Sequence, residues 1–264
     1  MRTIDACLLT GAAASCLAIS ILAQSTVPNS AGQTEVRVQD GGVRQRLESI
    51  FIPPMSNSPF TCTLHTEWGR ITPEGGTITL VNARKIARES SGRIYQERWA
   101  LIPKNSQVEP QMSFIQIADP NNHTLYSCAI SLKTCSVTTY EGTVSKLYKP
   151  ADAEPGTRPN GGGSVTRESL GNGFTEGVAT VGTRITQNFN AWVMGNDQPF
   201  SSTREYWFAP TLGFNLISKI SDPRFGNQTF TVTDLAIGEP DPALFELPKG
   251  FQMEDARTPP QTGK

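Results

Sequence analysis

The sequence predicts a mainly β, α+β fold: a curved antiparallel sheet or half-barrel of about eleven strands, with few short helices. Three observations lead there. From Pro59 onward, short stretches rich in Thr, Val, Ile and aromatic residues alternate with Gly, Pro, Asn and Asp, as strands alternate with turns. No long amphipathic helical pattern interrupts them, which favours consecutive hairpins over a parallel α/β sheet. The length of 264 residues, with 37% hydrophobic and 18% charged residues, suits one sizeable core rather than two small ones.

In chain order, residues 1–23 have the pattern of a signal peptide. Arg2 supplies the positive start, Cys7 to Ala23 is apolar and small, and Ala23-Gln24 offers a cleavage point. Asp5 and Ile21 depart from the usual pattern. The alternatives are a membrane anchor, for which Leu8 to Ala23 is short, and a lipid attached at Cys16, whose preceding residues lack the customary Leu. An exported protein, in the periplasm or outside the cell, is the expectation. Residues 24–42 are polar and lack periodicity, so they are expected to form a flexible lead. A single β-rich domain is expected over 43–252. It begins with a short helix, because Val43, Leu47, Ile50 and Phe51 recur at helical spacing before Pro53-Pro54.

The predicted strands are 60–67, 76–82, 85–90, 93–102, 112–118, 123–129, 133–140, 175–186, 202–209, 214–221 and 228–237. Arg93 to Trp99 alternates charge and bulk, as a half-exposed strand does; Arg204 to Phe208 carries bulk on both faces, as a covered strand does. The Pro- and Gly-rich stretch 151–163 reads as a flexible loop inside the domain, and the polar tail 253–264 as disordered.

Beyond the signal segment the cysteines are Cys62, Cys128 and Cys135. Strands on either side of a turn near Ser131-Leu132 set Cys128 directly opposite Cys135, a geometry suited to a disulfide; two reduced, buried thiols are the alternative. Cys62 sits in a strand pattern without an adjacent base and reads as a small buried residue.

The same sequence disfavours several kinds of chemistry. Lys and Arg number 23 against 24 Asp and Glu, a net charge of -1, so no electrostatic footprint for nucleic acid is present. The two histidines, His65 and His123, have no metal-ligand spacing, and no Gly-x-Ser-x-Gly elbow or phosphate-binding loop occurs. No catalytic residue, metal or cofactor is therefore expected. An enzyme would need acids such as Glu97, Glu205 and Asp234 gathered in one cleft.

Several phrases are spaced as in a group of exported proteins abundant in acidobacteria. They are Arg88-Glu89-Ser90-Ser91-Gly92-Arg93 with Glu97, Asp119-Pro120 with Tyr126, and Gly182-Thr183-Arg184 with Gly195-Asn196. The ending is the most specific: Asp222-Pro223-Arg224-Phe225-Gly226, then Gly238-Glu239-Pro240-Asp241-Pro242-Ala243-Leu244-Phe245-Glu246-Leu247-Pro248. The resemblance spans Pro59 to Phe251 and brings no catalytic residues with it. In strand order and closing Pro-x-x-Phe-x-x-Pro segment, the chain also resembles envelope proteins of the LolA, LolB and RseB kind. That resemblance implies an apolar cleft and a lipid or lipoprotein ligand. Trp99, Phe114, Trp207 and Phe214 are the candidate lining residues. The alternative is a structural or sensing module that binds an envelope protein partner through a sheet edge or groove.

Overall fold

A computed structural model describes residues 49–149 and 154–257, together with two short strands, β1 (Thr26–Pro28) and β2 (Thr34–Val36). The expected signal segment, most of the lead and the last seven residues lie outside the described residues.

The fold is one large, open, antiparallel sheet. Its first meander runs through β3 (Phe60–Ile71), β4 (Thr77–Arg88), β5 (Ile94–Trp99), β7 (Met112–Asp119), β8 (Thr124–Ala129) and β9 (Thr134–Thr139), with the two-residue β6 (Ile102–Pro103) pairing β4. The second runs from β10 (Gly156–Thr157) through β11 (Gly163–Thr175), β12 (Val178–Phe189), β13 (Phe200–Ala209) and β14 (Phe214–Asp222) to β15 (Gly226–Ile237). β15 then lies against β3, so the ends of the domain meet at the middle of the sheet. β16 (Gln252–Asp255) closes the far edge by pairing in parallel with β9.

Residues directly opposite across each pair share a face. The inner face carries Phe60, Cys62 and Leu64 of β3, Ile86 of β4, Ile94 of β5, Leu216 of β14, and Phe230 and Val232 of β15, all buried. An extended strap, residues 49–58, crosses this face and buries Ile50 and Ile52 against it. Arg88 anchors the strap. This side chain is 0% exposed and donates from Nε to Ser58 O, from Nη1 to Pro53 O, and from Nη2 to Ser58 Oγ and Leu212 O, at 2.8–2.9 Å. Its guanidinium also lies 5.0 Å from the centroid of the Phe60 ring. Gly213, at φ +75°, passes so close to Met55 that a Cβ there would overlap the sulfur.

A second core sits on the outer face of the first meander, where Ala87, Tyr95 and Ile117 pack under Phe245. Phe245 ends the short 3-10 turn Pro242–Phe245, whose start is capped by Asp241 accepting from Ala243 N. Arg93 lies 5.1 Å from the Phe245 ring centroid and donates to its carbonyl.

Several elements differ from expectation. Residues 49–51 are extended rather than helical, and residues 43–48 lie outside the description. Ile50 and Ile52 are buried while Phe51 between them is 42% exposed, so the start of the strap follows the period of two of extended chain. The expected strands 76–82 and 85–90 are one strand, since Asn82 and Arg84 are inward-facing and hydrogen-bonded rather than at a turn. The stretch 175–186 spans the hairpin between β11 and β12, and β11 itself begins inside the expected loop. Gln252–Asp255, at the start of the expected tail, forms an edge strand.

Candidate functional site

The site is built where the strap leaves the inner face incompletely filled. Past Ile52 the strap is held down by Arg88; towards Ser49 it stands off β5, β7 and β8 and roofs a cavity of about 260 Å³. Ile50, Phe51, Ile52, Ile94, Ala118, Leu125 and Tyr140 supply its apolar wall, and Ser49, Gln96, Arg98 and Gln116 its polar one. Burial pushes the Tyr140 phenol above its ordinary pKa, so it is neutral across the physiological range.

A hydrogen-bond network across four neighbouring strands holds the polar wall from behind. Arg84 on β4 is 5% exposed and donates from Nη1 to Gln96 Oε1 at 2.9 Å and from Nη2 to Ser49 Oγ at 2.7 Å. Arg98 on β5 donates from Nε to Gln116 Oε1 on β7 at 2.7 Å, and Gln116 Nε2 reaches Ser127 Oγ on β8 at 3.3 Å. Burial, reinforced by the neighbouring Arg98 charge, brings the Arg84 guanidinium down to about 9, so it remains a cation at neutral pH. Burial lowers Arg98 in the same direction. The ladder between β5 and β7 is irregular immediately after Arg98: it pairs with Phe114, while Trp99 pairs with Met112, leaving Ser113 as the extra residue.

None of the four lining candidates read from the sequence is among the residues lining this cavity. Phe214 is 2% exposed and stacks on Phe60 at 4.8 Å between centroids, inside the main core. Trp99 is half-buried and donates from its indole N–H to Glu97 Oε2 at 2.8 Å. Phe114 shares the inner face with Arg98 but is 42% exposed. Trp207 covers Gly173 and Gly182 on the second meander, where an added Cβ would come within 2.9 Å of the ring at either glycine. The residues that do line the cavity carried a weak signal in the sequence. In Arg93 to Trp99 the polar alternate set Gln96 and Arg98 faces the cavity.

Cys128 and Cys135 stand directly opposite one another on β8 and β9, 3.9 Å apart at Cα, and their sulfurs are joined. Cys62 is buried in the main core, which pushes its thiol up to about 12 and keeps it protonated and unreactive. Glu97, Glu205 and Asp234 are not gathered. Five strand spacings of about 4.8 Å separate β5 from β13, and β15 lies between them. Glu205 is engaged by Arg184 at 3.0 Å and Lys219 at 3.6 Å; burial alone would raise its carboxyl, but these cations hold it below the ordinary value. Among the described residues no group of three His, Cys, Asp or Glu could hold a metal ion, and no helix is long and apolar enough to cross a membrane.

The phrases that carried the sequence resemblance have structural roles. Asp222 accepts from the backbone and side chain of Arg224 to form the β14–β15 turn, and Arg224 spreads over Phe189 and Phe200 at 5.2 and 5.3 Å. Phe225 O accepts from Trp68 Nε1, and Gly226 lies against Gly69, where a Cβ would overlap its carbonyl oxygen.

No protein-family model and no curated protein matches the sequence. Solved structures share part of its strand arrangement. An uncharacterized conserved protein from Thermus thermophilus matches with a TM-score of 0.39 and 10% identity over 75% of this chain and 90% of its own. MucB of Pseudomonas aeruginosa, in complex with MucA, matches with a TM-score of 0.37 and 13% identity, over 74% of this chain and 58% of its own. The Mycobacterium tuberculosis lipoprotein LppX matches with a TM-score of 0.30 and 11% identity, over 70% and 88%. At these scores the likeness is a partial correspondence of strands, and the functional reading rests on the cavity.

Proposed function

We propose that this is an exported, non-enzymatic protein of the cell envelope that holds a hydrophobic ligand under the strap. The cavity itself carries the reading: about 260 Å³ walled by Ile50, Phe51, Ile52, Ile94, Ala118, Leu125 and Tyr140. A well-packed interior leaves few voids larger than a water molecule, and a concave apolar pocket with a few convergent polar groups is the usual form of a ligand site. The size suits one hydrocarbon chain better than a multi-chain lipid, since it lies just under the roughly 300–1,000 Å³ of common ligand pockets.

Native mass spectrometry of the protein isolated from its own envelope fraction tests this, with the bound material extracted and identified. The expected result is a reproducible apolar adduct that is lost in a folded Leu125→Trp variant, whose ring fills the cavity. A bare mass that also gains no adduct on incubation with decanol would contradict it.

A second reading, binding of a protein partner, is favoured by the edge at β11. β10 pairs only with Ser164 and Val165, so residues 168–175 present unpaired ladder groups among the described strands. Backbone amide protection appearing in this stretch on addition of an envelope extract, without change at the cavity, would favour that reading.

A further inference from the structure

The cavity is amphipathic in a specific way: its polar wall carries cationic charge, and the carboxylates that would normally answer that charge point elsewhere. The hydrogen-bond acceptors of Arg84 are Gln96 Oε1, Ser49 Oγ and the Glu97 carbonyl, all neutral. Arg98 has one, Gln116 Oε1, taken by Nε, so neither terminal Nη group donates to a described residue. The Glu97 carboxylate is directed to the other face of β5, where it accepts from Lys85 N, Tyr95 Oη and Trp99 Nε1. None of the ion pairs within 4.0 Å among the described residues includes Arg84 or Arg98. Half-buried cations without an anion are costly, and a guanidinium with two free, parallel N–H groups is shaped to accept a carboxylate in two hydrogen bonds. A one-residue bulge follows Arg98 in the β5–β7 ladder, and Gln116 fixes the guanidinium of this cavity-lining residue through Nε while its Nη groups donate to no described residue.

We propose that the ligand is a single-chain amphiphile with a carboxylate head, of the fatty-acid class. Its head lies on the Nη groups of Arg98, with Arg84 behind adding positive potential, and its chain runs along Ile94, Ala118, Leu125 and Ile50 beneath the strap. This rests on the cavity being a ligand site and adds the chemistry of the head group. Binding pairs a half-buried charge and covers apolar surface in one event. Arg98 therefore sets which head group is accepted, and the apolar wall sets how tightly the chain is held.

Titration calorimetry of the full protein with decanoate, decanol and decyltrimethylammonium, each below its micelle concentration, reads the head-group preference without any substitution. The expected order is decanoate tightest, decanol about tenfold or more weaker, and the cation weakest. Arg98→Gln is expected to bring decanoate down to the level of decanol while leaving decanol unchanged. Equal affinity for all three in the native protein, or an undiminished decanoate preference in folded Arg98→Gln, would overturn the carboxylate assignment and leave the apolar-ligand reading standing. Failure of all three to bind would overturn both.

Discussion

The first meander and the wing formed by β11 to β13 are parts of the same sheet with different means of support. From β3 to β9 the sheet has the strap on one face and the Phe245 segment on the other, and its central side chains are fully buried. In the wing, Phe174 is 82% exposed, fewer side chains such as Ile185 and Tyr206 are buried, and local stacks add order: Phe189 on Phe200 at 4.8 Å, Arg158 and Arg224 over their rings, and Trp207 over two glycines. An antiparallel sheet tolerates water on a face, but its stability then comes from cross-strand pairs rather than from burial. The cavity lies in the doubly covered part, between the strap and β5, β7 and β8.

The largest effect that would break this comparison is expected at Arg88. Arg88→Ala leaves the carbonyls of Pro53, Ser58 and Leu212 buried without a donor and releases the strap, at a cost of about 3–5 kcal/mol. Urea unfolding should show this as a lowered midpoint. A paired substitution sharpens the contrast. Phe60→Ala in the covered half is expected to cost about 3–5 kcal/mol, as large-to-small changes in a packed core do. Phe200→Ala in the wing should cost about 1 kcal/mol, the scale of an aromatic pair on a half-exposed surface. Equal costs would mean that the wing is covered in solution. Replacing Cys128 and Cys135 by Ser should cost about 2–3 kcal/mol through the short loop that the disulfide closes, seen as a drop in Tm under non-reducing conditions.

The smallest effect is expected in acid. Burial alone would raise the Asp222 carboxyl, but its bonds to Arg224 outweigh burial and hold it below the ordinary value. A depressed folded-state pKa adds stability that is complete above the unfolded value of about 4 and is lost as pH falls towards the folded one. Asp222→Asn should therefore flatten the fall in stability below about pH 4 while lowering the plateau at neutral pH. An unchanged acid slope would place that sensitivity elsewhere.

Much of the sheet was legible in the sequence because buried strands write their faces in alternation. In β14 every second residue from Phe214 to Asp222 is buried, and the expected strand ends one residue short of the observed one. The Cys128–Cys135 hairpin was legible for a geometric reason, since strand and turn lengths alone set those residues opposite. The strap was not, because Val43, Leu47, Ile50 and Phe51 imitate a helical stripe, and only tertiary contact shows that Ile50 and Ile52 are the inward pair. β11 was obscured by glycines and by having no consistently buried face. The cavity was hidden for a related reason. Aromatic residues attract attention as possible lining, yet Phe214 fills core and Trp207 covers glycines, whereas the cavity wall draws on Ala118, Leu125, Gln96 and Arg98, residues ordinary in any strand.

The most direct test of the central claim is a methyl NMR titration of the isotopically labelled protein with decanol. Binding under the strap predicts saturable shifts at the methyl groups of Ile50, Ile52, Ile94, Ala118 and Leu125, while Val165 and Val181 in the wing stay still. Shifts confined to the wing, or none anywhere at concentrations that saturate ordinary apolar sites, would contradict it.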